Sequence, residues 1–420
     1  MLIKNIRLIN PATDTDEVTD ILLEGDRIKT IGKIDRTEEN TIDGTGLIAA
    51  PGFVDVHVHF RDPGFTHKED LLTGSNAAAR GGYTSVVCMA NTRPAMDSEE
   101  VLKEFLKKAE KSPINVHTVA SLTKNLGGEE LVDMENLIEK GAVGFSDDGI
   151  PNMNLKLVIE GMERAEKLKV PLSFHEESPY LNVENGINHG EVSEEMGLYG
   201  SPALSEEVMI ARDGLLSLRT GAKVDIQHIS SKGGVELVRY YKKRGANLFA
   251  EVTPHHFSST EELLREKGTL AKMNPPLRTE EDRLGIIEGL KDNTIEIIAT
   301  DHAPHTEEEK NVEFTKAPSG IIGLETAIGL GIKNLVNEGH LTLSELLAKM
   351  TVNPAMLYNL NAGNLIEGSL ADIVIFDDKE EYIVGDFSSK SKNSPYIGEK
   401  LPGKIKYTIC RGNIVYKDLQ

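Results

Sequence analysis

The sequence predicts an α/β protein: a (β/α)8 TIM-type barrel joined to a small composite β domain built from both ends of the chain. Three observations predict it. Between Pro51 and residue 362, eight short apolar or β-branched runs alternate with longer Glu/Lys-rich amphipathic segments, the rhythm of repeated βα units around a parallel sheet. Before Pro51 and after Gly363 the rhythm changes to short alternating runs broken by Pro, Asp and Gly, as in hairpins. The length of 420 residues exceeds an ordinary single domain and suits a barrel with an appendage.

In chain order, LIKNIRLI, DILLEGDRIKTIGKI and TIDGTGLIAA supply the first part of the β domain. The barrel strands follow: FVDVHVH from Phe53, YTSVVCM from Tyr83, INVHTVA from Ile114, AVGFS from Ala142, VPLSFH from Val170, KVDIQHI from Lys223, LFAEVT from Leu248 and TIEIIAT from Thr294. Among the intervening helices, DSEEVLKEFLKKAEK from Asp97 opens acidic and closes in lysines, the polarity that the helix dipole favours. SPALSEEVMIARDGLLSLRT from Ser201 reads the same way. After Gly363, GNLIEGSLADIVIFD and KIKYTICRGNIVYKD return to a strand pattern. Chain termini often lie close together, so residues 1–50 and 363–420 are expected to pair into one composite β-sandwich domain beside a barrel of residues 51–362.

Composition narrows the function. Hydrophobic residues at 39% and charged residues at 27% support an ordinary buried core, not a disordered chain. With 46 Lys and Arg against 67 Asp and Glu, the formal charge is −21, which opposes binding to a polyanion, so no nucleic-acid partner is expected. Only Cys88 and Cys410 occur, which excludes a disulfide framework and fits a reducing compartment. No run approaches the ~20 apolar residues of a membrane span and the N-terminus lacks a signal-peptide core, so a soluble cytoplasmic protein without a membrane partner is expected. The sequence has no P-loop, no GxSxG elbow and no GxGxxG placed after a strand.

The densest chemical signal is Asp55-Val56-His57-Val58-His59-Phe60-Arg61-Asp62-Pro63, at the end of the first barrel strand. Residues i and i+2 of a strand share a face, so His57 and His59 present two imidazoles together, as one metal ion requires. Further ligand-type residues end other strands: Asp147-Asp148 after the fourth, His175 after the fifth, His228 after the sixth and Asp301 after the eighth. Catalytic groups of such barrels converge on that face. Four histidines and two carboxylates suffice for two divalent ions with one carboxylate between them, and imidazole with carboxylate favours zinc. Asp301 is also placed to exchange a proton with bound water, and His305 lies in a loop free to meet substrate. His302 is expected to point away from the site, because adjacent residues of an extended segment face opposite ways. Arg61 can clamp a carboxylate or serve an ordinary ion pair. Asn91, in MANTRP, and Asn274, in MNPPLR, are loop amides; His255 and His256 read as loop packing.

The motifs DVHVHFRDP, ATDHAPHTEEEK and GSLADIVIFD resemble those of the amidohydrolase superfamily, and within it the class I bacterial dihydroorotases. The resemblance covers essentially the whole chain. It implies a two-zinc hydrolase with a bridging hydroxide that opens, or in the biosynthetic direction closes, the cyclic amide of dihydroorotate, with N-carbamoyl-L-aspartate as the open partner, the third step of pyrimidine synthesis. By motif, it implies that His57, His59 and Asp301 hold one zinc, His175 and His228 the other, and Asp148 bridges them, with Asp301 the catalytic proton carrier. Arg61, Asn91 and His305 resemble the binders of the substrate carboxylate, and Asn274 a residue contacting the ring. The chain has Pro318-Ser319-Gly320-Ile321 where the family commonly shows Pro-Phe-Gly-Ile, so Ser319 and Gly320 are expected to contribute backbone contacts. A homodimer is expected by the same resemblance. Hydantoinases and allantoinases resemble the chain too, but they usually bridge their metals with a carboxylated lysine at the end of strand four, where this chain reads Gly144-Phe145-Ser146-Asp147-Asp148-Gly149. A non-catalytic scaffold is the remaining alternative, disfavoured by the complete ligand set.

Overall fold

The computed structural model describes residues 1–36 and 38–418. Strands β1 (Leu2–Asn10), β2 (Thr15–Glu24), β3 (Arg27–Ile31), β4 (Thr41–Asp43) and β5 (Ile48–Pro51) precede the barrel. The barrel strands are β6 (Phe53–Val58), β7 (Tyr83–Cys88), β8 (Asn115–Thr118), β9 (Leu172–Phe174), β10 (Val224–Ile226), β11 (Leu248–Val252) and β12 (Ile297–Ile298). After them come β13 (Ile373–Asp377), β14 (Tyr382–Ile383), β15 (Lys400–Leu401), β16 (Lys404–Cys410) and β17 (Asn413–Lys417).

The parallel barrel expected from the alternation is present. β6, β7 and β8 pair in one parallel group and β9, β10, β11 and β12 in another. Helices follow the strands, among them Leu71–Arg80, Glu99–Ala109, Ala203–Thr220, Lys232–Lys243 and Glu280–Lys291. At Leu71–Arg80 the start is fixed by Asp70, whose carboxylate accepts from the backbone of Leu72 and Thr73 in a capping box.

The expected fourth strand differs: around AVGFS the pairing is reduced to Phe145, which bridges Ala120 on one side and Leu172 on the other. The reason is local. Ser146 N–H still reaches Ala120 O, but the next residue, Asp147, turns its carboxylate onto the backbone N–H groups of Leu122 and Thr123, replacing the ladder with side-chain bonds. The opposite seam is closed by His302, which bridges Val58 and Ile321. Asp55 strengthens it by accepting from Thr300 N–H at 3.2 Å.

Both chain ends meet in one eight-stranded sheet, ordered β17-β16-β13-β5-β1-β2-β3, with β4 alongside β1. The join is the antiparallel pairing of β13 with β5, from Ile373 opposite Pro51 to Phe376 opposite Ile48. Alternation along β13 then divides the sheet between two cores. Ile373 and Ile375 pack with Ile3, Ile6 and Leu8 in a small core of the sheet's own. Val374 and Phe376 face the other way into the barrel's core, where the Phe376 ring lies 6.3 Å from that of Phe53. The sheet is thereby fastened to the bottom of the first barrel strand, whose top carries the HxH pair. Among the described residues no helix is long and apolar enough to cross a membrane.

Candidate active site

His57, at the end of β6, and His59, just beyond it, are turned by different partners. His57 Nδ1 donates to Glu251 Oε2 at 3.1 Å, which leaves Nε2 facing Asp148 Oδ1 at 3.6 Å and Asp301 Oδ1 at 3.5 Å. His59 Nδ1 donates to Asn91 Oδ1 at 3.0 Å, and its Nε2 lies 2.9 Å from Asp301 Oδ1 and 3.5 Å from Asp148 Oδ2. On the far side, His175 Nδ1 and His228 Nε2 approach within 3.0 Å, each 3.7 Å from Asp148 Oδ1. The Asp148 carboxylate therefore lies between the two histidine pairs. Its neighbour Asp147 lies outside the cluster, committed to the backbone of residues 122 and 123.

All six groups are buried. Burial disfavours the charged forms, yet the Asp148 and Asp301 carboxylates overcome it and raise His57 well above the usual imidazole value, while Asp148 is held well below the usual carboxylate value by His57, His228 and His59. Burial likewise opposes ionisation of Asp301, but His57 and His59 hold it below its ordinary value. Without a cation, protons on imidazole balance the carboxylates; a divalent ion would displace them. The residues fit such an ion: His57 Nε2 is buried without a hydrogen-bond partner, and two trios, His57/His59/Asp301 and His57/Asp148/His228, each bring their ligand atoms within 4.8 Å of one another. Arg61, His228 and Asp301 all have positive φ, at 59°, 36° and 48°, so three residues at the site occupy strained backbone that only the surrounding packing can hold.

The cluster forms the floor of a cavity of about 610 Å³ whose walls include Arg61, Asn91, Lys272, Asn274, His305, Ser319 and Gly320. The structure thus brings the six expected metal-type residues and the expected wall residues Arg61, Asn91, Asn274, His305, Ser319 and Gly320 to one place, with differences in what each can offer. Among the described residues Arg61 makes no ion pair within 4.0 Å; its guanidinium donates to Pro304 O and abuts His305 Nε2, each at 3.3 Å. His305 is pushed down to about 2 by burial and by the charges of Arg61, Lys68 and Lys310, so it is neutral. Lys68 Nζ donates to its Nδ1 at 3.2 Å, which places the remaining proton on Nε2, 2.9 Å from Ser319 O. Asn91 has both ends of its amide engaged, by His59 and by Asp148 Oδ2 at 3.0 Å, so it positions those groups as well as lining the wall. Gly320 N–H is bound to Lys272 O, and a Cβ at Gly320, with φ of 127°, would lie 2.7 Å from Ala303 Cβ; glycine allows the loop to press against the barrel end. His302 turns away, its Nδ1 accepting from Gly323 N–H at 3.2 Å.

Sequence reasoning missed Glu251, Glu177 and Lys68. Glu177 accepts from His175 Nε2 at 3.1 Å; burial disfavours its ionised form, but that imidazole holds it at about 2. The two-residue spacing that links His57 to His59 also links His175 to Glu177 and was available as a signal. For Glu251 and Lys68 no local signal exists, because their partners lie 194 and 237 residues away.

A model of the amidohydrolase family matches residues 48–415. The chain is 55% identical over 418 residues to a dihydroorotase of Clostridioides difficile and 53% identical over 420 residues to one of Lactococcus lactis, in both cases covering 99% of each chain. Its fold is similar to that of an L-hydantoinase (dihydropyrimidinase) from Arthrobacter aurescens, with a TM-score of 0.89 at 26% identity, covering 99% of this chain and 96% of that one. A D-hydantoinase (dihydropyrimidinase) from a Thermus species shares the fold at a TM-score of 0.87.

Proposed function

The chain belongs to the amidohydrolase family, and from that premise we propose that it is a zinc-dependent dihydroorotase, reversibly hydrolysing the cyclic amide of (S)-dihydroorotate to N-carbamoyl-L-aspartate in pyrimidine synthesis. One juxtaposition carries this reading: a cluster of imidazole and carboxylate able to hold cations lies beside Arg61, which pairs with no carboxylate among the described residues. A ring with both a scissile amide and a carboxylate satisfies both halves; hydantoin, which lacks the carboxylate, leaves Arg61 unmatched. The full-length identity to proteins named dihydroorotase supports the same choice.

In this reading His57, His59 and Asp301 would hold one zinc and His175 and His228 the other, with Asp148 available to both. Such ions, if bound, would activate a water for attack near neutral pH and polarise the ring carbonyl. The chain's own residues do the rest. Arg61 fixes the substrate carboxylate, and neutral His305 would turn its Nε2 proton from Ser319 O to the same group, which makes the reaction nearly unimolecular. Asn274 and the backbone at residues 319 and 320 define where the ring lies. The Asp301 carboxylate, held ionised by its histidine neighbours, accepts the proton released on attack at the carbonyl and returns it to the departing ring nitrogen. A cytoplasmic homodimer belongs to the same proposal: family resemblance supports the dimer, and two buried, unpaired cysteines support a reducing compartment.

The test is to purify the protein with zinc, quantify metal per chain, and assay dihydroorotate, hydantoin and allantoin. Turnover of dihydroorotate alone, lost on chelation and restored by zinc, is expected. Two metals with activity only on another ring overturn the substrate; no metal and no activity bring the scaffold alternative forward.

A further inference from the structure

Glu177 lies at the edge of the cluster, 3% exposed, and its carboxylate is shared three ways. Oε2 accepts from His175 Nε2 at 3.1 Å. Oε1 accepts from Asn182 Nδ2 at 3.2 Å and from Ser201 Oγ at 2.9 Å. Ser201 Oγ also lies 2.7 Å from Asn182 Oδ1, and its single proton serves one acceptor at a time, so the three side chains form one closed polar unit. These partners belong to the segment between β9 and the helix Ala203–Thr220, which contributes Asn182, Glu184 and Asn185 to the cavity wall. The far end of that segment is held separately: Arg278 Nη1 donates to Ser201 O at 3.0 Å and to Asn188 Oδ1 at 2.9 Å.

A carboxylate can only accept, so His175 carries a proton on Nε2 and turns Nδ1 into the cluster, 3.0 Å from His228 Nε2 and 3.7 Å from Asp148 Oδ1. We propose that Glu177 is a positioning residue with two linked tasks. One oxygen orients His175 toward the cluster; the other ties the 178–202 wall to that same imidazole. Cation uptake at His175 and ordering of the substrate-facing wall are thereby coupled. The proposal rests on the metal-centre reading above and goes beyond it, because it assigns one side chain to both the cation and the wall.

The experiment compares the wild-type chain with Glu177→Ala, Glu177→Gln and Ser201→Ala. Zinc affinity is measured by chelator competition, and hydrogen exchange over residues 178–202 is followed with and without zinc. In the wild type, zinc is expected to slow exchange in that segment. Glu177→Ala is expected to weaken zinc binding by roughly 10–100-fold, the usual effect of losing an outer carboxylate, and to abolish the zinc-dependent slowing even when zinc saturates. Glu177→Gln, which keeps one acceptor oxygen, should fall between. Ser201→Ala should keep zinc affinity but reduce the slowing and raise KM more than it lowers kcat, and it carries the test should Glu177→Ala fail to fold. Unchanged affinity and protection in Glu177→Ala, with zinc bound normally by the wild type, overturn the coupling alone. A wild type that binds no zinc overturns the metal centre and the coupling together.

Discussion

At the scale of single residues, Asp301 and Arg61 separate chemistry from binding. The Asp301 carboxylate faces both HxH histidines at 2.9 and 3.5 Å, and the cluster keeps five other ligand-type groups when it is neutralised. Asp301→Asn is therefore expected to abolish turnover while much of the metal stays bound; turnover near wild type in that variant refutes the proton-carrier role. Arg61 is different, because it touches no cluster ligand at hydrogen-bond distance and no carboxylate among the described residues. Its value lies in the charge-assisted pair it forms with substrate, about 1.5–3 kcal/mol, or roughly tenfold to hundredfold. Arg61→Met should lower kcat/KM for dihydroorotate by that factor and leave zinc content unchanged. Metal analysis on the same samples checks both halves.

At the scale of elements, the wall formed by residues 318–320 depends on Lys310. Its ammonium donates to three carbonyls, of Pro318 at 2.9 Å, Gly320 at 3.1 Å and Lys272 at 3.3 Å, while burial and the nearby Lys272 charge push it down to about 7. Below that pH the ammonium has a proton for each carbonyl; above it the amine keeps two, and because Lys272 O also accepts from Gly320 N–H and Gly320 O from Asn393 Nδ2, the tie is weakened and no carbonyl is left bare. KM is therefore expected to rise as pH passes upward through about 7, and Lys310→Met should show a high KM with that rise removed; parallel KM profiles for the two proteins refute the assignment. Elements such as this also mark how far the sequence could be read. The staves were legible because strand and helix periods alternate without interruption, and the HxH pair because its spacing is short and regular. The fourth stave shrank to Phe145 because Asp147 chose backbone partners 24 and 25 residues upstream, which no local pattern encodes. Lys310 closes the run EEEK in sequence, and only the return of Pro318 and Gly320 over it, together with the distant Lys272, creates its three acceptors. Asn91 and Gly320 were expected at the site through the family resemblance, but their own hydrogen bonds were not legible, since those are made by segments distant in sequence.

At the scale of the whole molecule, the buried site couples its ions to the stability of the barrel. Six ligand-type residues from five strand ends meet only in the folded chain, so a cation that binds them binds the native state and stabilises it, by about 2.7 kcal/mol at a free concentration a hundred times Kd. The pH dependence follows from the direction of the shifts. Without cation, His57 and His175 are raised above 6.5, so the stability their protons contribute is complete below 6.5 and is lost as pH rises through the higher folded values. With cation bound, those protons have already been displaced and that loss does not occur. The difference in melting temperature between zinc-loaded and chelated protein is therefore expected to widen as pH rises above about 6.5. Scanning both forms from pH 6 to about 9 by calorimetry checks it. A difference that stays constant with pH refutes proton displacement at these histidines, and one that narrows shows that other ionisations govern the stability of the cation-free barrel.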